Sequence, residues 1–431
     1  MKLDANFLPI ILMILLFVIK VPVAYCLILS TLSYFVFFPT GMPIEMVVQR
    51  MISGAESFPL MAVPFFILAG TIMTYSGISS HLMSFADVLT GHMRGGLGQV
   101  NVLLSALMGG VSGSGNADAA MQSKMLVPEM VKRGYGVGFS AAITAASAVI
   151  TPIIPPGISL ILYGFMADVS VGQMFLAGYI PGILITIALM IVVAVIARRR
   201  NYMPSREKRA TLGEIGREFV KSIWALLLPF GLIMGLRIGM FTASEAGAMT
   251  VLYTILVGVF IYKELKLEQL PMILKESVLS TCSVMLIIVA ASAFGYYMSW
   301  ERIPQMVSQG LMNITTNPYL MLMIINVMLL VLGMFMEGTP TLIILTPLLV
   351  PVIKELGIDP VHFGIVMVVN ITMGGVTPPF GTIMFVVCSV LKLKLADFIK
   401  EVWPFLLALL AVLLLVTFIP QLSLFLPRLL M

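Results

Sequence analysis

Charge is what this sequence has least of: Asp, Glu, Lys and Arg make up 10% of its 431 residues, against 60% that are hydrophobic. With a mean hydropathy of +1.07, the polar side chains are too few to coat a soluble globule, and lipid must be the main solvent. Cysteine is scarce too. Cys26, Cys282 and Cys388 stand singly in apolar stretches without C-x-x-C spacing, so they read as buried spacers rather than a disulfide or metal framework. The three histidines, His81, His92 and His362, have no partner four residues away, which argues against a metal site. No Gly-Lys pair occurs, so the chain has no P-loop and ATP drive is not expected from it. No soluble module adjoins the one basic cluster, and nucleic-acid binding is not expected either.

What is present is a series of continuous apolar runs, such as 5–19, 246–262 and 405–419. They do not alternate as barrel strands must, so the chain reads as an all-α polytopic membrane protein. A hydrocarbon core of about 30 Å asks for roughly 20 apolar residues per helix, and this length accommodates on the order of ten to fourteen spans. The N-terminus, with Lys2 and Asp4 before an apolar run and no small-residue cleavage site, reads as a retained first span. The methionines, scattered through apolar runs, read as packing filler.

From Arg198 to Arg209 the sequence RRRNYMPSREKR carries six basic residues and one acidic, directly after an apolar run. The positive-inside rule makes this loop cytoplasmic. It also divides the chain into a first membrane repeat, 1–197, a basic linker, 198–216, and a second repeat, 217–431. Both halves carry the same punctuation at an offset of 223 residues: Gly110 falls on Gly333, Gly115 on Gly338, Pro128 on Pro351, and the pair Pro155-Pro156 on Pro378-Pro379. An adjacent proline pair repeated at one offset argues for internal duplication. An odd number of crossings per half makes the repeats inverted, a usual build of secondary transporters.

Two segments in each half look broken. The first is a helical hairpin, about 96–130, whose apolar arm is too short to span and ends in Ser112, Gly113, Ser114, Gly115 and Asn116. Its counterpart, about 318–356, turns at Gly333 to Pro340. Irregular backbone at membrane depth is tolerated only where protein or water satisfies it, so each tip is a candidate site. Free carbonyls and hydroxyls suit an alkali ion, and the amides opening the returning helix suit a carboxylate. Asp118 reads as a first-turn charge, and Glu337 as either a buried counter-charge or an interfacial carboxylate beside a helix break. The second broken segment in each half ends at a proline pair: Thr144, Ser147 and Thr151 before Pro155-Pro156 (unwound helix about 140–165), and Asn370, Thr372, Gly374, Gly375 and Thr377 before Pro378-Pro379 (about 362–390). Paired prolines remove two amide donors and leave carbonyls free.

Other features lean structural. Thr242 and Glu245 have capping-box spacing, and Arg237 reads as snorkelling from the end of a span rather than binding substrate. A protease reading rests on the G-x-S-G at Gly110 to Gly113, with Ser112 as nucleophile and His362 as the one remotely suitable base, but it leaves the duplication unexplained. An uncoupled channel or scaffold and a one-component ion-coupled anion carrier are the remaining alternatives.

At GAESFPLMAVPFFILAG (54–70), VSGSGNADAA (111–120), IIPPGI (153–158), FTASEAGA (241–248), LTPLLVPVIKELGIDPVHFGI (345–365) and GGVTPPFG (374–381), the sequence resembles the large membrane subunit of the tripartite ATP-independent periplasmic (TRAP) transporters. The resemblance runs through nearly the whole chain. It implies sodium-coupled uptake of a small organic acid, such as a C4-dicarboxylate or sugar acid, across the bacterial inner membrane by an elevator mechanism. A fixed scaffold would hold a moving transport domain with two re-entrant hairpins. The first sodium site would draw on Ser112, Gly113 and Ser114 with Ser147 and Thr151, the second on Gly338 and Thr339 with Asn370, Gly374 and Thr377. The substrate would lie between the tips, near Ser112, Asn116, Thr339, Pro156 and Pro379. The resemblance also implies a separate small four-helix membrane subunit and a periplasmic binding protein that delivers the acid. Gly157, where the family commonly has serine, and Asn116 and Gln122 near the first tip depart from its pattern.

Overall fold

The computed structural model describes residues 7–38 and 43–431; Lys2 and Asp4, part of the retained-span reading, lie outside them. The described residues form helices and no strand, as backbone without water to bond requires. Among the described residues, seven helices are long and apolar enough to cross a membrane, and an eighth span results if Ala62–Tyr75 and Ile78–Thr90, bent by 68°, are taken as one. The bend falls at Gly77, whose φ of +79° is left-handed.

The helices that matter most are those that flank turns and breaks. Gly96–Ser112 and Gly115–Met125 form a hairpin whose turn passes through Gly113, at φ +59°. Val137–Ser147 and Ile158–Met166 are two half-helices separated by a break that holds the cis Pro155-Pro156 peptide. In the second half, Pro318–Phe335 and Gly338–Glu355, both among the seven, are joined through a turn at Met336 and Glu337. Pro360–Gly374 and Thr382–Leu391 flank another break, at the cis Pro378-Pro379 peptide.

Close backbone approach holds each hairpin against its break, the device that small residues supply where helix packing has no hydrophobic drive. A β-carbon on Gly109 would stand 2.6 Å from Ile154 Cβ, and one on Gly374 would stand 2.7 Å from the backbone of Gly333. Gly178, on the long helix Val171–Arg200, lies so near the break that a β-carbon there would overlap the carbonyl oxygen of Ile153. Gly178→Ala therefore forces helix and break apart. Overpacking of this kind costs about 1–3 kcal/mol, and the thermal unfolding midpoint in detergent is expected to fall by several degrees; an unchanged midpoint overturns this account of the packing.

The basic cluster is not a free loop. Arg198 to Arg200 form the last turn of Val171–Arg200, where cations suit the helix dipole, and Arg200 pairs with Glu401 at 2.8 Å. Arg206 pairs with Asp87 at 2.9 Å, Ser205 donates to the same carboxylate at 2.7 Å, and Arg133 donates to the Ser205 carbonyl at 2.8 Å. The next helix, Leu212–Arg237, opens on a capping box of Thr211 and Glu214. Thr242 and Glu245 form the expected capping box, and Arg237, at a helix end, donates to the Leu430 carbonyl at 3.2 Å.

Candidate functional site

The two hairpin tips meet. Asn116 donates its Nδ2 to Glu337 Oε1 at 3.2 Å, so residues 221 apart in sequence close one wall of a cleft of about 890 Å³. Ser112 to Asp118 come from the first tip, Glu337 to Thr339 from the second, and Pro152, Ile158, Ile371, Gly375 and Thr382 from the two breaks. The opposite wall belongs to the helices Ala62–Tyr75 and Leu270–Trp300, through Thr71, Thr74, Glu276, Ser280 and Ser283.

Four helices begin at this cleft, at Gly115, Ile158, Gly338 and Thr382. First-turn amides favour an anion, although in the last of these helices Ile383 N and Met384 N already donate to the Gly375 carbonyl at 2.8 and 3.2 Å. Two helices also end there, at Ser112 and close to Gly375, and the negative end of each helix dipole favours a cation, although at the second end the carbonyls of Ile371, Met373, Gly374 and Gly375 already accept backbone hydrogen bonds. The tips press onto the breaks: a β-carbon on Gly113 would stand 2.6 Å from the Pro156 carbonyl oxygen, and one on Gly115 2.9 Å from that of Ala148.

The sequence-derived residues divide into three groups. Ser112, Gly113, Ser114, Asn116, Gly338 and Thr339 line the cleft, and Ser112 Oγ is a buried oxygen without a hydrogen-bond partner among the described residues. Ser147, Thr151, Asn370, Gly374 and Thr377 are buried behind it. There Ser147 donates to Asn101 Oδ1 at 2.8 Å, Thr377 to the Met373 carbonyl at 2.8 Å, and Asn370 Nδ2 to Asn326 Oδ1 at 3.0 Å. That leaves Asn370 Oδ1 buried and without a partner among the described residues. Pro156 and Pro379 are not in the cleft wall; Pro156 contributes its carbonyl against Gly113 instead, and Pro379 is exposed.

Asp118 does stand in the first turn of its helix, yet it is more than a first-turn charge. The residue is 1% exposed. Ser105 donates to Oδ2 at 2.7 Å, Thr151 to the same oxygen at 3.0 Å, and Gln122 Nε2 to both carboxylate oxygens at 2.9 Å. No ion pair joins it to a basic side chain among the described residues. Sequence reasoning missed Asp118 as a site residue because, Gln122 apart, its partners lie 13 and 33 positions away. Glu337 is not a buried counter-charge: it stands at the N-cap position of Gly338–Glu355 without a side-chain capping bond, and it is exposed in the cleft lining.

The protease reading fails on geometry. His362 is buried, its Nδ1 2.7 Å from Ser423 Oγ, and it is absent from the cleft that holds Ser112.

Residues 10–422 match the family described as the DctM component of the tripartite ATP-independent periplasmic transporters. The 2,3-diketo-L-gulonate TRAP transporter large permease protein YiaN of Escherichia coli is 38% identical over 94% of each chain. The C4-dicarboxylate TRAP transporter large permease protein DctM of Rhodobacter capsulatus is 36% identical over 97% of this chain and 98% of its own. Among solved structures, the Alcanivorax borkumensis YdaH transporter shares the fold, with a TM-score of 0.67 at 14% identity over 95% of this chain and 97% of that one. Matched from residue 10 to residue 422 and in its fold, this chain belongs to the DctM family of TRAP transporter large permeases, and it is a multi-pass membrane transport protein, not an enzyme.

Proposed function

We propose that this permease imports a small organic acid together with sodium, binding both in the cleft where the hairpin tips meet. The observation that carries the reading is the convergence there of helix starts and helix ends, which offers an anion seat and cation ligands side by side. The two halves act as inverted repeats, the hairpins re-enter the membrane from opposite faces, and each tip shares one sodium ion with its break. The first ion draws on Ser112, Gly113 and Ser114 and on carbonyls of the Ala148 to Pro156 segment, with Asp118 behind it as balancing charge. The second draws on Gly338 and Thr339 and on the segment from Asn370 to Thr377, where Asn370 Oδ1 is free to ligate.

Hairpins and breaks move together as the transport domain of an elevator, against the scaffold wall at Thr71 and Ser280. The basic segment 198–209 faces the cytoplasm of a bacterial cell. A separate small membrane subunit and a periplasmic binding protein complete the machine, a reading supported by membership of a tripartite family. The relatives' names include a sugar acid and C4-dicarboxylates, so a carboxylate is the expected cargo.

Sodium binding is testable without knowing the acid. A ligand that binds only the folded state at ten times its Kd adds about 1.4 kcal/mol of stability. The purified protein in detergent is expected to unfold several degrees higher in sodium chloride than in potassium or choline chloride at equal ionic strength. Identical midpoints in all three salts overturn the sodium reading.

A further inference from the structure

Four ionisable side chains line the cleft: Asp118, Lys124, Glu276 and Glu337. The three acids have partners, Asp118 in its buried cluster, Glu337 through Asn116 and Glu276 through the Tyr75 hydroxyl at 3.0 Å. Lys124 is the cleft's one cation among the described residues, and no carboxylate pairs with it there. It lies in the last turn of Gly115–Met125, where a lysine also suits the helix dipole. Its position in the cleft goes beyond that role. Asn116, Ala120 and Lys124 follow each other at four-residue spacing and all three line the cleft, so they form one stripe along the arm.

Eight residues of helix rise about 12 Å. A lysine stem reaches about 6 Å, and side chains lean toward the helix N-terminus, here toward the tip. The ammonium group can therefore come within about 6 Å of an anion held at the tip, but cannot share that anion's carboxylate. Ala120, between them, is too small to fill the gap.

We infer that Lys124 is a specificity-determining residue, pairing with the second carboxylate of a dicarboxylic acid whose first carboxylate sits at the tips. The inference rests on the proposed anion seat and adds the distal contact that separates diacids from monoacids.

The test uses the purified protein in sodium buffer, with ligand-induced thermal stabilisation as the readout and succinate, glutarate, adipate, succinamate and gluconate as probes. A diacid is expected to half-saturate at a concentration about tenfold below that of succinamate, which lacks the second charge. Lys124→Gln should erase that tenfold advantage and leave succinamate unchanged, while Lys124→Arg should keep most of it. Monoacids that bind as well as every diacid overturn the role of Lys124 and leave the anion seat standing. Equal weakening of succinate and succinamate by Lys124→Gln shows a structural effect and overturns the inference too. If no carboxylate stabilises the wild-type protein, the anion seat itself falls, and this inference with it.

Discussion

Gly113→Ala is expected to abolish the sodium-dependent stabilisation of this protein and to lower transport by about 100-fold. Two costs combine at this position. The backbone is left-handed, at φ +59°, where a non-glycine residue loses about 1 kcal/mol. The new β-carbon would also stand 2.6 Å from the Pro156 carbonyl oxygen, with Ile158 N at 3.3 Å and Gly157 Cα at 3.4 Å. All three neighbours are backbone, so no side chain can swing away. The tip must lift from the break, and the oxygens proposed to share the first ion must separate. A distortion of about 3 kcal/mol at the ion corresponds to roughly 100-fold in apparent affinity. The control is thermal unfolding in choline chloride, which reports folding without the ion. Gly134→Ala, at a glycine with φ +84° and no neighbour within 4 Å of a β-carbon, pays the backbone cost alone and should retain sodium binding. If Gly113→Ala keeps the wild-type sodium response, the first tip does not form an ion site.

The fold's punctuation was legible because glycine and proline act locally. A proline pair removes two amide donors whatever surrounds it, and both helix breaks contain one. A Gly-rich segment between apolar arms reads as a turn for the same reason, and helices break at Gly113 and at Met336 to Glu337. Side-chain partnerships across the fold were not legible. Ser147 and Thr151 precede a proline pair and carry hydroxyls, which made them candidate ion ligands, yet their hydroxyls turn to Asn101 and Asp118. Residue type does not distinguish a hydroxyl that ligates an ion from one that donates to a neighbour. Lys124 escaped notice because the face it occupies depends on the phase of a helix whose first residue, Gly115, is fixed by the turn. The basic run 198–209 read as a linker, but half of its basic residues belong to a helix end and Arg206 pairs with Asp87, 119 residues before it. That contact depends on tertiary packing alone.

Asp118→Asn and Asp118→Ala are expected to separate two roles that the buried carboxylate combines. Burying a carboxylate is costly unless hydrogen bonds and an opposite charge compensate it. Here the hydrogen bonds come from Ser105, Gln122 and Thr151, and sodium at the adjacent tip is the proposed compensating charge. Asparagine keeps the shape and one acceptor oxygen, and the Ser105 and Thr151 hydroxyls can rotate to accept from its amide. Its loss of charge should make the protein at least as stable in choline chloride as wild type, while the stabilisation by sodium disappears. Alanine removes the acceptors as well: Gln122 Nε2 keeps Ser105 Oγ at 2.6 Å and Thr151 keeps the Ser105 carbonyl at 3.4 Å, but the Ser105 hydroxyl is stranded at about 1–3 kcal/mol for a buried unsatisfied group, and the midpoint should fall in every salt. A carboxylate that serves only as a hydrogen-bond hub predicts another pattern: Asp118→Asn then binds sodium like wild type, and only Asp118→Ala is impaired. Thermal unfolding of the two variants in sodium and choline chloride decides between the patterns, and a wild-type sodium response in Asp118→Asn removes Asp118 from the ion site.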